Sequence, residues 1–167
     1  MQGQQETLSR VEAPEAAERF QKWRRWQALG EQPAGLDDWT ATHLDVLCRL
    51  EAEAPAAVAG RTLLHMDLRA DNILLTSEGA RFFDWPWSVG AAWVDLLLVA
   101  PSVEMQGGPA APEVFGATAA GVKAPPEAVA AALASFTGML TYSSLQQPPP
   151  PGLPTPRASR PHRRLHR

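Results

Sequence analysis

Between two apolar runs the chain reads "HMDLRADN", which sets His65, Asp67, Arg69, Asp71 and Asn72 within eight residues, and Asp84 follows in "FFDWPW". A carboxylate can orient a nucleophilic hydroxyl and accept its proton. The amide oxygen of Asn72 and the carboxylate of Asp84 are hard oxygen ligands, the type that holds Mg2+ against nucleotide phosphates. Asp67, five residues before Asn72, and a second acid beyond a turn therefore point to phosphoryl transfer.

Such a set works only if the chain returns Asp84 to Asn72. The short apolar runs "NILLT" and "ARFFDW", separated by "SEG", predict a hairpin of strands over Ile73–Thr76 and 81–83, which brings both ligands to one end of the ribbon. "TLLH" predicts a strand leading in. Before it, residues 13–29 place Ala16, Phe20, Trp23 and Leu29 on one stripe of a helix closed by Gly30. "LDDWTATHLDVLCRLEAEA" predicts a second helix with Trp39, Leu44, Leu47 and Leu50 inward, an N-cap at Asp37 or Asp38, and an end at Pro55. "AAWVDLLLVAPS" reads as a buried helix, and residues 125–145 as an Ala-rich helix opening on a proline pair. Trp23, Trp26 and Trp39 are expected in the core, and Trp85 and Trp87 as packing beside the hairpin. The expected class is α+β, mainly helical.

At 167 residues the chain can bury one core. Its net charge of −3 conceals an acidic body: the tail from Pro148 holds five Arg and no acid, which leaves −8 on residues 1–147. The division expected is a flexible start over 1–12, a folded domain over 13–147 and a disordered Pro/Arg-rich tail over 148–167. That tail lacks aromatic interleaving, and the acidic body opposes nucleic acid, so no nucleic-acid partner is expected. The single cysteine, Cys48, excludes an internal disulfide and a Cys-based zinc cluster, and His43, five residues before it, does not share its helix face. The polar N-terminus shows no signal peptide and no run is long enough to span a bilayer, so no membrane association is expected and the location expected is cytoplasmic.

"HMDLRADN", the spaced Asp84 and the following "DWPWSVGAAWVDLLLVAPS" together resemble the aminoglycoside phosphotransferase and choline kinase-like branch of the protein-kinase-like fold, most firmly over residues 61–108. The resemblance implies the C-terminal lobe of that fold with a small catalytic hairpin, and an ATP- or GTP-dependent phosphotransferase acting on a small-molecule hydroxyl. It implies Asp67 as catalytic base, Asn72 and Asp84 as Mg2+ ligands that place the nucleotide, His65 as a residue shaping the loop, and Arg69 in the place of the catalytic-loop lysine of protein kinases. Asp95 of "WVDL" is expected to brace the loop from a helix beneath. Asp71 has no such role and reads as a solvated or loop-capping carboxylate. Met66 stands where relatives usually have Gly.

In that family a separate lobe of strands, with a Lys, grips the nucleotide. The residues before His65 read as two helices instead, and Lys22 lies in one of them. In relatives "PPPPGLPT" leads into another amphipathic helix, whereas "PRASRPHRRLHR" has no apolar period. The expectation is a truncated chain whose end was replaced by a frameshift near Thr155, and a non-catalytic remnant or interaction module is the competing reading.

Overall fold

The computed structural model describes residues 11–12, 20–30, 36–85 and 88–145. In chain order these form β1 (Val11–Glu12), α1 (Trp23–Leu29), α2 (Asp38–Thr42), α3 (Leu44–Ala57), β2 (Thr62–Leu64), a 3-10 turn over Ala70–Asn72, β3 (Ile73–Thr76), β4 (Gly79–Phe82), β5 (Ser88–Gly90), α4 (Val94–Met105), α5 (Ala111–Gly116), α6 (Ala119–Val122) and α7 (Pro126–Ser144). The protein is α+β and mainly helical, as its sequence predicts. β1 belongs to the segment expected to be flexible; it pairs in parallel with β5. Residues 13–19 of the first predicted helix, Trp87 and the Pro/Arg-rich tail lie outside the described residues.

α1 ends where predicted, because Gly30 adopts the left-handed conformation (φ 64°) and its N–H returns to the Gln27 carbonyl. Its start differs. Phe20, Gln21 and Lys22 are not helical, although the apolar stripe runs through them. The reason is tertiary: the fully buried carboxylate of Glu51, on α3, accepts the N–H groups of Lys22 (2.7 Å) and Trp23 (3.0 Å) on Oε1 and of Arg24 (2.9 Å) on Oε2. These are the donors a helix start leaves without partners, and a carboxylate there also meets the positive end of the helix dipole.

The second predicted helix divides into α2 and α3 at His43, whose backbone (φ −105°, ψ 14°) leaves the helical range. The Asp37 carboxylate caps α2, accepting from the Thr40 N–H (2.9 Å) and hydroxyl (2.6 Å), and these bonds hold its pKa below the ordinary value. Trp39 corrects the sequence reading. It is 61 % exposed and stacks on the His43 ring at 4.4 Å, whereas Trp23 and Trp26 are buried as expected. Pro55 does not end α3, which continues to Ala57. Proline forfeits one backbone bond, but buried Ala54 and Val58 anchor the last turn, where the Val58 N–H reaches the Ala54 carbonyl at 3.0 Å.

α3 and α7 form the central pair. The face of α7 turned inward is made of small residues, Ala131, Ala132, Ala134, Ser135 and Gly138. A Cβ on Gly138 would lie 2.6 Å from the Trp23 indole nitrogen and 3.1 Å from Glu51 Oε1, so the absence of a side chain makes room for both. The indole then donates to the Ala134 carbonyl at 2.7 Å.

Cys48 is packed beside Trp23, Trp26 and Leu47. Burial first, then the negative charges of Glu51 and Asp45, push its thiol up to about 11. Only the thiolate reacts readily, so a disulfide reagent at pH 8 should leave the native protein unmodified and titrate one thiol in urea. Rapid labelling of the native state would show that this core opens.

β5 lies at the centre of a three-stranded sheet, parallel to β1 and antiparallel to β2, with Leu63 opposite Val89. β3 and β4 form the expected hairpin in the register Ile73 opposite Phe82 and Leu75 opposite Ala80, with the second strand one to two residues earlier than predicted. All of β4 and three of the four β3 residues are exposed. α5 and α6 were not predicted, since elements of six and four residues are too short to show a period. Among the described residues no helix is long and apolar enough to cross a membrane.

Candidate functional site

β2 delivers the chain to His65, and α4 lies beneath the following loop. In the first turn of α4 the Asp95 carboxylate accepts two backbone N–H groups, that of His65 on Oδ2 and that of Met66 on Oδ1, both at 2.7 Å. This is the brace expected of Asp95. It fixes the loop at the point where Met66 takes a left-handed backbone conformation (φ 61°), one that a side chain disfavours and glycine does not. The Met66 departure thus falls on a backbone position suited to glycine, and paired charge-assisted bonds hold it there.

The His65 ring is fully buried. Its Nε2 lies 2.6 Å from the Phe83 carbonyl, which can only accept, so Nε2 carries the proton. Nδ1 finds no partner among the described residues. The Trp85 ring packs against the imidazole at 4.9 Å, and its indole N–H donates to the Phe82 carbonyl at 3.2 Å. His65 therefore ties the loop to the residue preceding Asp84, and a buried ring bonded in this way serves the loop's shape. Asp84 is the second residue with a left-handed backbone that is not glycine (φ 56°), a conformation Asp tolerates better than most.

The polar residues gather at one end of the hairpin. The Phe83 N–H donates to the Asn72 carbonyl at 3.1 Å and continues the pairing of Ile73 with Phe82, so Asn72 and Asp84 leave the same end of the ribbon. The Asn72 amide nitrogen donates to the Asp67 carbonyl (2.9 Å) and to Asp67 Oδ2 (3.2 Å). That orientation turns its nitrogen toward Asp67 and leaves the amide oxygen for another partner. Asp67 and Asp71 remain exposed, with Arg69 between them: the guanidinium meets Asp71 at 2.7 and 3.2 Å and Asp67 at 3.6 Å. The bonds to Asp71, then the charges of Asp67 and Asp71, raise the Arg69 pKa above its ordinary value. Asp71, left without a role by the sequence, is the carboxylate that orients Arg69.

Among the described residues no group of three or more His, Cys, Asp or Glu side chains is placed to hold a metal ion. Asn72 and Asp84 supply two oxygens, a donor set that suits Mg2+, which commonly takes one or two protein oxygens and completes its shell with phosphates and water.

No protein-family model, no curated protein and no solved structure matches this chain. Two contributors to the site escaped the sequence reading: the Phe83 carbonyl, because a backbone group leaves no compositional trace, and Asp71, whose place beside Arg69 depends on the turn over Ala70–Asn72.

Proposed function

We propose that this protein is a phosphotransferase of the aminoglycoside phosphotransferase and choline kinase-like type, built on the C-terminal lobe of a protein-kinase-like fold, and that it moves the γ-phosphoryl group of ATP or GTP to a small-molecule hydroxyl. The observation that carries the reading is the double anchoring of the loop. Asp95 holds the N–H groups of His65 and Met66, and His65 holds the carbonyl before Asp84. The two anchors tie the loop that carries Asp67 and Asn72 to the residue before Asp84, which supports the reading because catalysis of this type is mostly positioning and charge stabilisation.

Asp67, exposed and oriented by the Asn72 amide, accepts the proton of the acceptor hydroxyl. Asn72 and Asp84 would hold Mg2+, which neutralises phosphate charge when bound. Arg69, oriented by Asp71, sets a cation beside the base, where it would face the transferring group. The proposal includes a cytoplasmic location and a small-molecule substrate, with no nucleic-acid or membrane partner expected.

Asp67→Ala should lower Mg2+-ATP-dependent phosphorylation about 10²–10⁴-fold, the usual contribution of a positioned base, while leaving the melting temperature within a few degrees because the side chain is exposed. Undiminished turnover in that variant would remove Asp67 from the mechanism. A second reading, a non-catalytic interaction module, is favoured by one observation: the described residues before Thr62 contain helices and a two-residue strand but no strand lobe to grip a nucleotide. A thermal shift with Mg2+-ATP supports the enzyme, and no shift at millimolar nucleotide supports the module.

A further inference from the structure

Beside the Asp67–Asn72 loop a cleft of about 360 Å3 lies between β3 and α4. Leu68, Ile73 and Leu75 line it from the loop and β3, and Val99 and Val103 from α4. Its volume falls within the range of small-molecule sites, which begins at roughly 300 Å3. The polar side chains in the lining are Arg69, Ser102 and Gln106.

These groups restrict what the cleft can hold. Arg69, the one cation in the lining, is engaged by Asp71 at 2.7 and 3.2 Å and faces Asp67 at 3.6 Å, and the proposed function assigns it to the transferring phosphoryl group, so no second cation is left for an anionic acceptor. The lining contains no carboxylate and no aromatic ring. Those are the groups that hold ammonium and quaternary ammonium ligands, so a cationic body lying between β3 and α4 finds no counter-charge in the lining. A sugar, with a hydroxyl on nearly every carbon, would meet five aliphatic side chains and leave most of its hydrogen bonds unmade. The side chains of Ser102 and Gln106 hydrogen-bond to no described residue and could serve one or two polar atoms.

We infer that this cleft is the acceptor subsite and that the acceptor is an uncharged alcohol with a mainly apolar body. The inference rests on the phosphotransferase reading. The apolar body lies between β3 and α4, and the hydroxyl reaches the Asp67 loop, which Arg69 joins to the cleft. Asp67 takes the hydroxyl proton, and the acceptor oxygen forms its bond to the γ-phosphorus. The bond from that phosphorus to the bridging oxygen breaks, and its electron pair leaves with the nucleoside diphosphate.

Methyl NMR on the full chain without nucleotide tests the subsite, with 2-phenylethanol and choline as probes. The expected result is saturable shifts of the Ile73, Leu75, Val99 and Val103 methyl signals with 2-phenylethanol, none with choline, and at least ten-fold weaker binding in Gln106→Trp, an exposed position where bulk should not disturb the core. Equal or larger shifts with choline, or unchanged binding in Gln106→Trp, overturns the inference. Phosphorus NMR with Mg2+-ATP separates it from the reading beneath. If 2-phenylethanol occupies the cleft but no phosphate ester forms at saturation, the phosphotransferase reading fails and the subsite stands as a binding site. If choline is phosphorylated while the cleft signals stay still, the phosphotransferase reading stands and the subsite fails.

Discussion

Glu51→Ala is expected to cost the protein about 3–5 kcal/mol, since each buried group left without its hydrogen bond costs roughly 1–3 kcal/mol and three N–H donors lose their acceptor, with water recovering part of the loss. Trp23 sits at the same junction, so both the start of α1 and the Trp23–Trp26 cluster should loosen. Glu51→Gln is the sharper variant. It keeps one acceptor oxygen but turns an NH2 group toward the Arg24 N–H, and should cost about 1–3 kcal/mol. Burial, the largest influence, holds the Glu51 carboxyl above its ordinary value, against the pull of the backbone donors from Arg24, Trp23 and Lys22. The folded protein therefore binds this proton more tightly than the unfolded chain does. The stability linked to it is fully present below the unfolded value and is lost as pH rises through the folded one. Urea midpoints of wild type and Glu51→Gln should accordingly lie farthest apart near pH 4 and approach one another toward pH 8. A gap that widens with pH would show that the donors outweigh burial, and an alanine deficit below about 1 kcal/mol would show that α1 does not depend on this carboxylate.

The second large effect is expected at Asp95. Asparagine there keeps an acceptor for one of the two N–H groups and sets an NH2 against the other, which should cost about 1–3 kcal/mol. The greater consequence is local. Met66 holds a left-handed conformation that its own side chain disfavours, and without the paired bonds it is free to relax. Hydrogen exchange at the His65 and Met66 amides should accelerate by at least ten-fold relative to the core of α3. Phosphorylation activity, under the proposed function, should fall by more than the stability loss explains. Unchanged protection of both amides would show that β2 and the buried His65 hold the loop without Asp95. Met66→Gly in the Asp95→Asn background offers a check, because glycine accepts that conformation and should restore part of the loop's order.

Hairpin, Ala-rich helix and α4 were legible in the sequence because each writes its own signal: alternation with a turn, a proline pair before an apolar period, a run long enough to bury. The grouping of Asn72 with Asp84 was legible for the same reason, since a hairpin register returns one to the other. What was not legible was decided by partners distant in sequence. The start of α1 depends on an acid 28 positions after Trp23. Trp39 belongs to an apolar stripe but follows the break at His43 outward, and no local rule marked that break. The proline at position 55 gave the usual stop signal, overruled by burial of the alanine before it and the valine three residues on.

The carboxylate at the start of α1 also bears on the order of assembly. A helix of seven residues is far below the length that persists alone in water, and its capping group reaches it only once α3 has formed. Its indole anchor needs the Ala134 carbonyl and the space at Gly138, which exist only once α7 has docked. α1 is therefore expected to be the last of the three to settle, and the sequence-distant contacts that hold it are those a folding transition state has least reason to contain. Strengthening them would slow unfolding more than it would hasten folding.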